Sequence, residues 1–168
     1  MIKMEKKNYS KNKEEIAKTE ETTVAVMHQF VVSTPSKPVI GTFALASCFA
    51  VIFEDNYNHH LLAHLSSDYD KTVKEILKYL INDDFIKVKI ILGTYTRKEI
   101  VEQFIIDLNQ NKEYFLYDFL IDIISLPEFL NKEYESIEFA YDTRNEHFIN
   151  ANFNELMEIG KEENYGRN

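Results

Sequence analysis

The one cysteine of this chain, Cys48, and four of its five histidines, His28, His59, His60 and His64, fall within or shortly before the stretch 41–66, GTFALASCFAVIFEDNYNHHLLAHLS. A thiol beside an imidazole is a nucleophile beside its base. An apolar run holding Cys48, a turn-rich centre and a second apolar run holding His64 predict a β-hairpin. With the hairpin symmetric about Asn56, Cys48 faces His64 directly, their Cβ atoms about 5 Å apart. His59 then points to the opposite face. His60 falls opposite Ile52, about 13 Å from Cys48 at strand rise. The competing reading is packing, because a free cysteine usually behaves as a small buried hydrophobe.

Thr42 lies six positions before Cys48, in TFALASC. This segment resembles the signature of the chemoreceptor glutamine deamidases (the CheD family), in which a threonine, an apolar glycine-rich spacer and a Ser-Cys pair precede a strand. In that family the histidine follows the hairpin in a context similar to Ala63-His64-Leu65. The segment KIILG at 89–93 followed by a helix, and SIEFAYDTRNEHFI at 136–149, resemble the family's central strand-glycine-helix and its closing hairpin. The resemblance covers about residues 24–153. The chain departs from the pattern where Ala44 and Ala46 replace spacer glycines, and where Leu61 and Leu62 replace the paired glycines before the histidine. Alanine serves in the spacer unless the backbone needs positive φ, which costs a residue with a Cβ about 1 kcal/mol.

The resemblance implies a protein-glutamine deamidase. Cys48 would be the nucleophile, His64 the base and then the acid, and the backbone N–H groups around Ser47 and Cys48 the oxyanion donors. Thr42 would orient His64 or the substrate through its hydroxyl or carbonyl oxygen, against the plain alternative of a β-branched strand residue. No cofactor and no metal motif is expected; Asp118 and Asp122 read as a solvated edge rather than a ligand pair. Three biological readings stay open. The chain acts on chemoreceptor glutamines in its own cytoplasm; or it resembles the cytotoxic necrotizing factor toxins and deamidates a host GTPase after delivery into a host cell; or it is a binding module of the same fold without catalysis. The partner is a protein with an exposed glutamine in the first two.

Composition bounds the rest. With 168 residues, 45% hydrophobic and 28% charged, the chain has enough apolar material for one domain and its core. The net charge of −9 repels a nucleic-acid backbone or an anionic membrane. One cysteine excludes an intrachain disulfide and suits a reducing compartment. Residues 1–21 are polar without apolar periodicity and read as a flexible arm without a secretory h-region. No stretch approaches the about 20 apolar residues of a membrane span.

The positioning elements follow from pattern. Residues 22–32, TTVAVMHQFVV, read as one β-branched strand, and the prolines of 33–38 break it and place a loop that could border the site. Val73, Ile76, Leu77 and Leu80 stripe a helix over 71–80, ended by 82–84. Residues 85–92 alternate as a strand. Thr96 and Glu99 match a capping box for a helix to about 109 with Ile100, Val101, Phe104, Ile105 and Leu108 on one face. Residues 113–126 support a strand, at their first half, or a helix. Residues 137–149 read as a hairpin and 154–168 as a short helix with a polar tail. Two strand-helix units after an antiparallel hairpin predict an α/β (α+β) layered sandwich, a mixed sheet with helices packed on it, over 22–153.

Overall fold

Two apolar runs, FAVIFE at Phe49–Glu54 and HLLAHL at His60–Leu65, are buried at every position. Strands with no wet face must lie between two packed layers. The structure, a computed structural model, describes residues 2–4, 16–80, 85–110, 118–124, 126 and 136–165. In chain order the elements are β1 (Ile2–Met4), β2 (Thr22–Ala25), β3 (Phe30–Val32), β4 (Val39–Leu45), β5 (Phe49–Glu54), β6 (His60–Leu65), α1 (Asp70–Leu77), β7 (Phe85–Leu92), α2 (Lys98–Gln110), β8 (Asp118–Ile124), β9 (Ile137–Asp142), β10 (His147–Ile149) and α3 (Phe153–Tyr165).

They form two mixed sheets, one ordered β1-β8-β7-β5-β6-β3 and the other β10-β9-β4-β2. The helix stripes read from sequence bury Val73, Ile76 and Leu77 of α1 and Val101, Phe104 and Leu108 of α2 against Phe49, Val51 and Phe53 of the larger sheet. Phe49 meets Tyr69 and Phe104 edge-on, with centroids 6.4 and 5.3 Å apart. Burying one such side chain is worth about 1.5–3 kcal/mol, so this seam holds both helices down. The other face of the larger sheet, with Ala50, Ile52, Leu62 and Ile91, packs on Ile40, Phe139, Tyr141 and Phe148 of the smaller one. Helix α3 closes the outer side through Leu156 and Ile159 on Val24, Val39 and Ala140. The order helix, sheet, sheet, helix is the layered α+β sandwich expected from the sequence, with two sheets where one was expected. No helix among the described residues is long and apolar enough to cross a membrane.

Several elements differ from the sequence reading. Residues 22–32 are not one strand. Strand β2 pairs in parallel with β4, and β3 pairs antiparallel with β6 in the other sheet. The chain crosses between sheets at 26–29, where His28 takes a φ of 65° and the Gln29 N–H returns to the Val26 carbonyl at 3.0 Å. Within the segment read as a polar arm, β1 pairs in parallel with β8, Thr19–Glu21 form a 3-10 turn, and 5–15 lie outside the described residues. Residues 81–84 and 113–117 lie outside them as well. Strand β8 occupies Asp118–Ile124 of the segment 113–126, the first residues of which lie outside the described ones. Helix α1 ends at Leu77, and α3 begins at Phe153.

Candidate active site

His64 sits where the chain crosses between the sheets. Its backbone is held from both sides: the His28 N–H donates to the His64 carbonyl at 2.9 Å, and the His64 N–H donates to the Gln29 carbonyl at 3.0 Å. Its ring faces β4 across the layer, where Nδ1 lies 2.8 Å from the Thr42 hydroxyl oxygen. That hydroxyl donates its proton to the Ala25 carbonyl at 2.7 Å. A hydroxyl has one proton to give, so Thr42 accepts from Nδ1–H. The imidazole is thereby fixed with its proton on Nδ1 and a free electron pair on Nε2. Ala25 reaches this position because β2 runs parallel to β4 with Ala25 beside Thr42.

Both polar residues are buried, Thr42 fully and His64 to 2% exposure. Burial, then the charge of nearby His28, pushes the His64 pKa down to about 4. The ring is neutral at pH 7 and is a base with a proton vacancy at Nε2. That atom makes no hydrogen bond with any described group.

The hairpin register is shifted by two from the one expected. Ala50, not Cys48, stands opposite His64, and Glu54, not Ile52, stands opposite His60. The turn accounts for the shift. The Asp55 carboxylate accepts the N–H groups of Tyr57 and His59 at 2.8 and 3.0 Å, and Asn58 takes a φ of 62°. This Asx-type turn is centred one residue further along the chain than a turn centred on Asn56. A shift of two preserves facing. Cys48 therefore packs in the inter-sheet layer with Ala50, Ile52 and Leu62, one diagonal step from His64, or about 7–8 Å between Cα atoms. The two side chains share a face and are not in hydrogen-bond contact.

The Cys48 segment is braced by the β7–α2 turn. Thr94 and Tyr95 donate their N–H groups to the carbonyls of Leu45 and Ala46 at 3.2 and 2.8 Å. The Thr96 hydroxyl donates to the Cys48 carbonyl at 2.6 Å and accepts the Gly93 N–H at 2.7 Å. Thr96, read from the sequence as a helix cap, clamps the Cys48 backbone. A Cβ on Gly93 would lie 2.5 Å from both the Ala46 and Cys48 carbonyl oxygens, so only glycine allows this approach. The N–H groups of Ser47 and Cys48 take no part in these bonds. Ala44 sits in a bulge with φ 59°, the left-handed conformation for which glycine is suited.

Cys48 is 5% exposed. Burial raises its pKa, and a hydrogen bond with the Ser47 side chain opposes part of the rise. The resting pair is a neutral thiol near a neutral imidazole. The other histidines stand apart: His59 turns outward onto Asp55 at 2.7 Å, and His60 lies toward the opposite end of β6. A cleft of about 480 Å³ opens beside β3 and α1, lined by His28, Phe30, Val32, Glu75 and Tyr79, and Cys48 is not in its wall. The proline loop leads to His60 and the β9–β10 turn, through Ser33 N–H to the His60 carbonyl at 2.9 Å and Thr143 N–H to the Pro38 carbonyl at 3.0 Å. It does not border Cys48.

Sequence reasoning did not find Ala25 and Gln29, which act through backbone atoms and leave no side-chain signal. Gly93 and Thr96 were visible as a glycine followed by a helix start, but their contact with the Cys48 loop was not. Compared with family models and with curated proteins, the sequence matches none.

Proposed function

We propose that the protein is a cysteine-dependent protein-glutamine deamidase. The observation that supports this reading is the Ala25–Thr42–His64 hydrogen-bond chain. It fixes an imidazole with its basic nitrogen bare, on the same face as the one thiol of the chain. In the reaction, His64 Nε2 takes the Cys48 thiol proton as Sγ bonds to the carboxamide carbon of a glutamine side chain. The N–H groups of Ser47 and Cys48 receive the developing oxyanion. His64 returns the proton to the departing nitrogen, the C–N bond breaks and ammonia leaves. Water then cleaves the thioester with His64 again as base, giving glutamate and the free thiol. The step requires Sγ and Nε2 to come within hydrogen-bond reach when substrate binds.

A receptor glutamine and a GTPase glutamine fit this chemistry equally. Protein panels from both classes, incubated with wild type and Cys48→Ala and read by mass spectrometry, test the reading. A gain of about one dalton on a specific glutamine with wild type alone supports it. A second reading is a non-catalytic binding module of the same fold, favoured by the burial of the Cys48 thiol and its raised pKa. Under that reading no glutamine changes mass, and Cys48→Ala leaves partner binding intact.

A further inference from the structure

The end of the inter-sheet layer away from Cys48 carries a second polar cluster. Glu54 ends β5, His60 begins β6 directly opposite it, and Glu146 closes the β9–β10 turn. One ligand-type atom from each of the three lies within 4.8 Å of the others. Glu54 and His60 are 7% and 3% exposed, while Glu146 is the less buried member.

The hydrogen bonding within this cluster is incomplete. His60 Nδ1 lies 3.1 Å from the Asn58 carbonyl oxygen. A carbonyl only accepts, so Nδ1 carries a proton and Nε2 is the ring nitrogen left to the cluster. Nε2 faces the Glu54 carboxylate, with Nε2 and Oε1 3.5 Å apart. Among the described residues neither His60 Nε2 nor Glu54 Oε2 has a hydrogen-bond partner. Leaving such groups buried and unsatisfied is unfavourable.

The distance is that of an ion pair when His60 is protonated, and it also suits an ion held between the two groups. It is beyond the about 2.7–3.2 Å of a hydrogen bond through a shared proton. It matches the about 3.4 Å edge of a tetrahedron whose centre lies about 2.1 Å from each ligand atom, as for zinc held by imidazole and carboxylate. The Asn58 carbonyl on Nδ1 is also the kind of outer contact that fixes the tautomer of a metal-binding histidine. Lys87, cross-strand from Glu54, is exposed and offers an alternative counter-charge at the rim.

We propose that Glu54, His60 and Glu146 form a binding site for a divalent first-row transition cation such as Zn²⁺, with a fourth position open to water. The three ligands come from two strands and a turn, so the ion would tie the β5–β6 hairpin of one sheet to the β9–β10 hairpin of the other.

The test is titration of chelator-treated full-length protein with Co²⁺, followed by Zn²⁺ competition and thermal unfolding with and without Zn²⁺. One equivalent of Co²⁺ should give the intense visible absorption of a tetrahedral centre. Zn²⁺ should displace it and raise Tm. Glu146→Gln, a substitution on an exposed turn, should fold as wild type and bind at least tenfold more weakly, and His60→Gln should lose the band. No stoichiometric band with no Zn²⁺-dependent change in Tm would overturn the proposal. So would unchanged binding in a folded Glu146→Gln or Glu54→Gln protein, which would assign the ion to other surface carboxylates.

Discussion

The Thr42 hydroxyl meets His64 Nδ1 at 2.8 Å as an acceptor, because its own proton is committed to the Ala25 carbonyl at 2.7 Å. One side chain thereby sets both the tautomer and the orientation of the base. Thr42→Val keeps the shape and removes the acceptor, leaving a buried Nδ1–H and a buried carbonyl unpaired. A loss of about 1–3 kcal/mol is expected in urea unfolding, with a shift of the His64 tautomer in nitrogen NMR. Thr42→Ser should restore both. Unchanged stability and tautomer in the valine variant would contradict the assignment.

Stability should depend on pH through His64. Its folded pKa of about 4 lies below the ordinary 6.5, so the unfolded chain binds the proton more readily. The contribution is fully present above pH 6.5 and is lost as pH falls through that window toward 4. A shift of this size corresponds to about 3 kcal/mol. Denaturant midpoints of wild type and His64→Gln, compared between neutral pH and the bottom of the window, measure it. The variant should show the flatter profile.

The layered fold was legible because period-two and helical stripes mark which faces are apolar, as in α2 with Val101, Phe104 and Leu108. The shared facing of Cys48 and His64 was legible through strand parity, and it survived a register error of two. The turn that caused the error was not legible, since Asp55 organises it through bonds to two backbone N–H groups. Nor was the crossing at His28, which splits one β-branched run between two sheets and delivers the Ala25 carbonyl to Thr42. The Glu54, His60 and Glu146 cluster was invisible because the expected register put Ile52 rather than Glu54 opposite His60, and because Glu146 comes from a separate hairpin.

Ala44 pays for its positive φ. Ala44→Gly should stabilise the protein by about 1 kcal/mol, less the entropy that glycine returns to the unfolded chain. A Tm that falls would indicate that the methyl group contributes packing at this bulge.

Gly93→Ala should act in the opposite direction. Its Cβ would press on two backbone carbonyls at 2.5 Å, and these belong to the Cys48 loop. A loss of about 1–3 kcal/mol with a displaced Cys48 segment is expected from unfolding and amide hydrogen exchange. Wild-type exchange at residues 45–48 would contradict the bracing role.

The most direct test of the thiol–imidazole pair is the rate of Cys48 alkylation by iodoacetamide, an amide electrophile, in folded wild type and His64→Ala across neutral pH. Modification of the folded protein is expected, slower by at least tenfold when His64 is removed. Alkylation that proceeds only as fast as global unfolding, at equal rates in both proteins, would make Cys48 a core residue and contradict a catalytic role.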